Sequence, residues 1–149
     1  MDIAIDFDGT CVTHEFPRVG RDIGAAPVLK KLVANGHRLI LFTMRSNIAN
    51  PYSENPDIHP TGGNYLDAAL EWFKSNDIPL YGIQTNPGQA TWTHSPKAYA
   101  HLYIDDAALG CPLIIEGNER PFVDWQAVER LLTNKGFIRT AKGKADEST

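Results

Sequence analysis

Two acidic residues at the end of the first apolar segment are the strongest chemical signal in the sequence. Asp6 and Asp8 come directly after the apolar run 3–5, and Gly9 then supplies a turn. Two carboxylates this close repel each other unless a cation or a shared proton relieves them. A hard divalent ion such as Mg2+ takes oxygen ligands, so the pair predicts a magnesium site. An ordinary Asp-Gly turn would explain Asp8 and Gly9, but not two acids beside a buried strand.

Further polar side chains follow other apolar segments of the chain. The candidates that come after a predicted strand are Thr43, Arg45, Ser46, Asp105 and Asp106. Because the carboxyl ends of parallel strands meet at one edge of an open sheet, we expect these side chains to lie near Asp6 and Asp8. Either acid of the second pair can then complete the ligand set of the ion. Lys97 lies in the loop before that pair, and His14 lies in the loop after the first strand.

The elements that must hold these residues alternate between strands and helices. Short apolar runs predict strands at 3–5, 38–43, 80–84, 100–104 and 112–115. Apolar residues at helical spacing predict helices at 25–35, 65–76 and 123–134, the last with Asp124 as its N-cap. Such alternation predicts an α/β fold with a mainly parallel sheet that is covered on both faces.

The composition fits one domain, which we place at residues 1–136, followed by a polar tail at 137–149. The formal net charge of −4 argues against a nucleic-acid partner. Cys11 and Cys111 are too few for a disulfide framework. The sequence has no signal peptide and no run of about 18 apolar residues, so we expect a cytoplasmic protein that does not enter a membrane.

Four carboxylates and one lysine gathered at a sheet edge suit phosphoryl transfer, because its barrier is mostly a matter of charge and positioning. An aspartate nucleophile would form an aspartyl-phosphate, and a second aspartate would protonate the leaving oxygen and later activate water. Thr43 can donate a hydrogen bond to the phosphoryl group. Lys97 can pair with a phosphate oxygen and with the nucleophile.

Four segments together resemble the motifs of the haloacid dehalogenase superfamily, in the same order along the chain. They are D-F-D-G-T at 6–10, L-F-T-M at 41–44, Lys97, and Y-I-D-D at 103–106. The resemblance covers about residues 1–135. It implies a doubly wound three-layer sandwich with strand order 5-4-1-2-3 and Mg2+ as cofactor.

The resemblance also implies a role for each residue of the motifs. Asp6 would be the nucleophile and a metal ligand, and Asp8 the general acid and base that gives the ion its backbone carbonyl. Thr43 would hold the phosphate, and Lys97 would stabilise its charge. The acid pair at 105–106 would supply the third protein contact to the ion, with the choice between the two left open.

The stretches 9–25 and 85–96 are too short for a folded cap domain, so the chain resembles the capless members of the superfamily. The site would then be open, or covered by the loop 46–63 or by a second copy of the chain. Arg45, Ser46 and His14 are the candidate substrate contacts. We expect a phosphatase for a small phosphorylated metabolite, such as a sugar phosphate or a nucleotide. The alternatives are a macromolecular phosphate as substrate, or a binding module without turnover.

Overall fold

The fold is built around a four-stranded parallel sheet. The computed structural model describes residues 1–47 and 63–140. The strands of the sheet are β1 (Asp2–Ile5), β2 (Arg38–Leu41), β3 (Gly82–Ile83) and β4 (Leu102–Ile104). Their order is β3-β2-β1-β4, and every neighbouring pair is parallel. All four residues of β1 are buried, as expected for a central strand of a parallel sheet.

Three α-helices follow the sequence pattern closely. They are α1 (Ala25–Ala34), α2 (Tyr65–Ser75) and α3 (Trp125–Asn134), which confirms the predicted helices to within two residues at each end. Asp124 is the N-cap of α3, and its side chain accepts a hydrogen bond from the Ala127 backbone N–H. Gly36 follows α1 with φ +84°, a value that glycine adopts without strain.

The three helices pack against one face of the sheet. The strand register pairs Ile3 with Leu39 and Ile5 with Leu41, so these four side chains point to the same face. The same hydrophobic cluster contains the buried residues of all three helices. Phe7 extends this face beyond β1. Its ring centroid lies 5.8 Å from that of Trp72 and 6.2 Å from that of Phe73.

The segment between β3 and β4 packs on the opposite face, where Tyr103 of β4, paired with Ala4, donates to the Ala98 carbonyl. The regular structure of this segment is a single 3-10 turn at Gln89–Thr91. Pro87 and Pro96 interrupt this segment, so an α-helix would lose backbone hydrogen bonds there. Buried polar side chains satisfy its backbone instead. Asn86 donates to the Tyr99 carbonyl, and Gln89 donates to the Lys97 carbonyl and accepts from the Tyr99 N–H. The architecture is that of a Rossmann-like α/β fold.

Two features differ from the sequence-based expectation. The predicted fifth strand exists as β5 (Leu113–Ile114), but it pairs antiparallel with β6 (Phe122–Val123) in a separate two-stranded sheet. Packing also continues past residue 136. Ile138 is buried, and the Phe137 carbonyl lies 2.8 Å from His37 Nε2.

Two predicted segments lie largely or partly outside the described residues. Positions 48–62 of the proposed covering loop 46–63 are among them, as are positions 141–149 of the tail. In the parts of the chain that the structure describes, no helix is long and apolar enough to cross a bilayer.

Candidate functional site

Three aspartates meet at the carboxyl end of the sheet. Asp6 follows β1, and Asp105 and Asp106 follow β4, which is the hydrogen-bonded neighbour of β1. The Asp6 N–H donates to the Ile104 carbonyl at 3.0 Å, so the sheet pairing holds the two strand ends together. Each aspartate offers one carboxylate oxygen, and these three atoms all lie within 4.8 Å of one another.

A threonine hydroxyl lies between two of these acids. Thr10 Oγ1 is 3.1 Å from Asp6 Oδ2 and 3.0 Å from Asp106 Oδ1, and it accepts from the Asp106 N–H at 3.0 Å. His14 Nε2 lies 2.9 Å from the other oxygen of Asp106. Because one hydroxyl carries one proton, Thr10 cannot donate to both carboxylates at once. The two carboxylates therefore compete for a single hydroxyl proton.

The pKa of Asp6 is raised from its ordinary value to about 8. Burial of the carboxyl is the main cause, followed by its hydrogen bond with Asp106 and the negative charges of both later acids. A divalent cation would remove this penalty, because it favours the ionised form of every acid around it. The donor set is made of carboxylate oxygens, which fits a hard ion such as Mg2+.

Asp8 is held by a buried arginine. Arg45 donates from Nε to one Asp8 oxygen at 2.7 Å and from a terminal nitrogen to the other at 2.8 Å. Its other N–H groups donate to the carbonyls of Pro17, Arg18 and Tyr65, so all five donors are used. The Arg45 side chain is only 1% exposed. The prediction that Arg45 contacts substrate is therefore not supported by its hydrogen bonding, since it has no donor left for a ligand.

Thr43 and Ser46 differ in their positions. Thr43 lines the cleft with the acids, and its hydroxyl accepts from the Arg45 N–H at 3.1 Å, which leaves its own proton available to a ligand. Gln84 fixes the Thr43 backbone by hydrogen bonds to both its N–H and its carbonyl. Ser46 is exposed and does not line the cleft.

The structure does not bring Lys97 to the acids. The Lys97 ammonium lies 5.7 Å from the centroid of the Tyr103 ring. It lines a separate depression with Trp92 and Tyr99. The course of the segment between β3 and β4 sets this position, because Gln89 anchors the Lys97 carbonyl.

The acids open into a cleft of about 400 Å3. Besides the residues named above, it is lined by Phe16, Met44, Ala107 and Arg120. Arg120 was missed in the sequence because it lies between β5 and β6 rather than after a strand of the parallel sheet. No local pattern around it indicates a binding role.

Comparison with known proteins gives one informative match. No family model matches the chain, and neither does any curated protein sequence. A solved structure of a conserved protein from Bacteroides thetaiotaomicron is 32% identical, with a TM-score of 0.65. The alignment covers 91% of each chain. The chain belongs to the family of this conserved Bacteroides protein. Because the match spans nearly the whole of both chains, the family likeness concerns the complete fold and not a single motif.

Proposed function

We propose that the protein is a Mg2+-dependent phosphomonoester hydrolase of the haloacid dehalogenase type. The observation that carries this proposal is the meeting of Asp6, Asp105 and Asp106 at the carboxyl end of a parallel sheet, with ligand atoms within 4.8 Å. The strand order β4-β1-β2-β3 supports it, because it equals the 4-1-2-3 part of the order that the superfamily resemblance implies.

The three acids of the cluster would hold the ion, and Asp8 would add its backbone carbonyl, as the resemblance implies. Bound there, Mg2+ would neutralise negative charge on the phosphoryl group and keep Asp6 ionised. The residues themselves fit this role, since a buried carboxyl with a raised pKa gains most from a nearby cation.

In the first chemical step, an Asp6 oxygen attacks phosphorus, and the bond from phosphorus to the leaving oxygen breaks. Asp8 gives its proton to that oxygen. In the second step, a water attacks the aspartyl-phosphate, Asp8 takes the water proton, and phosphate leaves with Asp6 restored. Both Asp8 oxygens accept from Arg45, so we expect Asp8 to release at least one of these hydrogen bonds when it carries the proton. Thr43 would donate its hydroxyl hydrogen bond to the phosphoryl oxygens.

The cleft volume of about 400 Å3 falls within the range of small-molecule sites. It would accommodate a small phosphorylated metabolite such as a sugar phosphate or a nucleotide.

Hydrolysis of p-nitrophenyl phosphate with and without Mg2+ tests the proposal. We expect activity that requires Mg2+ and that falls more than about a thousandfold in Asp6→Asn, because the nucleophile is lost. Asp77→Asn is the matched control, since Asp77 is exposed and does not line the cleft. Undiminished turnover by the Asp6 variant would rule out Asp6 as the nucleophile.

A second function is favoured by the hydrogen bonding of Asp8 and the position of Lys97. With Asp8 paired to Arg45 and Lys97 over the Tyr103 ring, the same acids could serve a cation-binding module without turnover. Calorimetry would then show Mg2+ binding, while a broad panel of phosphoesters would show no hydrolysis. Turnover of any member of the panel that requires Asp6 would exclude this second function.

A further inference from the structure

The proposed function leaves a charge problem in the cleft. Four carboxylates line it, and a phosphate monoester brings further negative charge. One divalent ion and the pairing of Asp8 with Arg45 offset only part of this charge, so a further protein cation at the phosphoryl oxygens would stabilise the complex. The described residues offer few groups that can do so.

The three basic groups that the sequence suggests do not offer a free donor to a phosphate in the cleft. Arg45 uses all five N–H groups on Asp8 and on backbone carbonyls. His14 Nε2 lies within hydrogen-bond distance of Asp106 Oδ2, at 2.9 Å. Lys97 lines a different depression, with its ammonium over the Tyr103 ring.

Arg120 is different, because it lines the acid cleft and its side chain has neither an ion pair nor a hydrogen bond within residues 1–47 and 63–140. Four other arginines of this part of the chain are paired with acids, whereas Arg130 and Arg139 have no ion pair within it and do not line the cleft. The pairs are Arg18 with Glu15, Arg21 with Glu119, Arg38 with Asp2, and Arg45 with Asp8. Arg120 therefore keeps its guanidinium donors for a ligand.

The loop that carries Arg120 is fixed to the site. Glu119, its neighbour, accepts from Arg21 at 2.5 and 3.0 Å, and its N–H donates to the Glu116 carbonyl. The loop lies between β5 and β6, and the Val123 N–H of β6 donates to the Gly9 carbonyl at 3.0 Å. Gly9 belongs to the turn after Asp8, so this hydrogen bond joins the antiparallel pair of β5 and β6 to the segment that carries Asp6 and Asp8.

We propose that Arg120 binds the phosphoryl oxygens of the substrate, the role for which the sequence suggests Lys97. A planar guanidinium can donate two parallel hydrogen bonds to a phosphate. Arg120 is exposed and lines the acidic cleft, so a phosphate that enters the cleft can reach these donors. This inference rests on the proposed function, because it assumes that a phosphate enters the cleft beside the cation.

Inorganic phosphate is the probe, and calorimetry in saturating Mg2+ measures its affinity for the full-length protein. We expect Arg120→Ala to weaken phosphate binding about tenfold or more, the typical loss of one charge-assisted pair. Arg120→Lys should recover part of the affinity. Arg130→Ala is the matched control, because Arg130 is exposed on α3 and lines a different depression. Both Lys97→Ala and this control should stay within about twofold of the wild type.

Two results would overturn the inference: a loss of phosphate affinity in Lys97→Ala with none in Arg120→Ala, or wild-type protein that binds no phosphate in Mg2+. Circular dichroism spectra establish that each variant is folded. Failure here is distinct from failure of the proposed function, because wild-type hydrolysis and its dependence on Asp6 decide the latter.

Discussion

At the scale of single residues, the site depends on side chains that order the acids. Arg45 fixes Asp8 through two short hydrogen bonds and joins it to the carbonyls of Pro17, Arg18 and Tyr65. A buried arginine with every donor satisfied is costly to remove, because its carboxylate partner then remains without compensation. In the proposed mechanism, Arg45 would therefore be a positioning residue, because its effect on turnover would pass through Asp8.

Replacing Arg45 with Met should lower the free energy of unfolding by about 3 kcal/mol, since the Asp8 carboxylate loses its partner in a mostly buried position. Urea unfolding of the variant measures this loss. The double variant Arg45→Met with Asp8→Asn should recover part of it, because the unpaired charge is gone. An Arg45→Met protein as stable as Arg130→Met would show that the pair contributes nothing to stability.

Gly9 is a second residue on which the acid cluster depends. It has φ +79°, and a Cβ at this position would lie 1.9 Å from His14 Nε2 and 2.7 Å from Asp106 Oδ2. We expect Gly9→Ala to displace both side chains and so to weaken Mg2+ binding as well as stability.

Gly36→Ala is the control for this prediction, because Gly36 has φ +84° and no atom within 4 Å of the added Cβ. It should cost only the backbone strain, about 1 kcal/mol, and leave Mg2+ affinity unchanged. Equal Mg2+ affinities for the two variants, measured by calorimetry, would contradict the expected displacement of His14 and Asp106.

At the scale of elements, β1 begins with a buried aspartate at the end of the sheet opposite the three acids. Its buried first residue, Asp2, accepts two hydrogen bonds from Arg38 of β2 and one from Asn86 in the segment before β4. Burial raises the pKa of Asp2, but the hydrogen bonds from Arg38 and Asn86 and the charge of Arg38 outweigh it, and the net pKa is lowered. These hydrogen bonds join β1, β2 and the segment before β4 at the end of the sheet opposite the acids.

The lowered pKa gives a pH dependence with a definite sign. The folded protein holds the Asp2 proton less tightly than the unfolded chain does, so the stabilisation is present above the ordinary pKa of 3.8 and is lost as the pH falls further. We expect Asp2→Asn to have a lower Tm than the wild type at pH 7, with a gap that narrows below about pH 4. A gap that is constant from pH 7 to pH 3 would refute this.

The sequence predicts the regular elements and the acids that follow them better than it predicts the loops. Helices and the central strands follow from local apolar spacing, and the acids follow because strand ends of a parallel sheet share an edge. Lys97 and Arg120 lie in loops, whose courses depend on distant contacts: Gln89 with the Lys97 carbonyl, and Arg21 with Glu119. Neither contact has a local signal, so the sequence favours the lysine that matches a motif and gives no sign of the arginine.

At the scale of the whole molecule, the acid cluster joins parts of the chain that are far apart in sequence. Asp6 and Asp106 are linked through Thr10, and His14 brings the loop after β1 to the same place. Asp106 is 96 residues from Thr10 and 92 residues from His14 along the chain, so the unfolded state offers no comparable site for a cation. A ligand that binds only the folded state raises stability with its concentration.

Mg2+ should therefore stabilise the folded protein, and the effect should depend on the complete cluster. At a concentration a hundred times its Kd, the expected gain is about 2.7 kcal/mol, which appears as a rise in Tm. Asp105→Asn and Asp106→Asn should each reduce the Mg2+-dependent rise, because each removes one of the three charged ligands that lie within 4.8 Å. Asp77→Asn should retain the full rise, because the Asp77 carboxylate lies outside the cluster. Its loss would change only the general screening of charge by salt. If all three variants gain equally in Mg2+, the ion stabilises the protein elsewhere and the acids do not form its site.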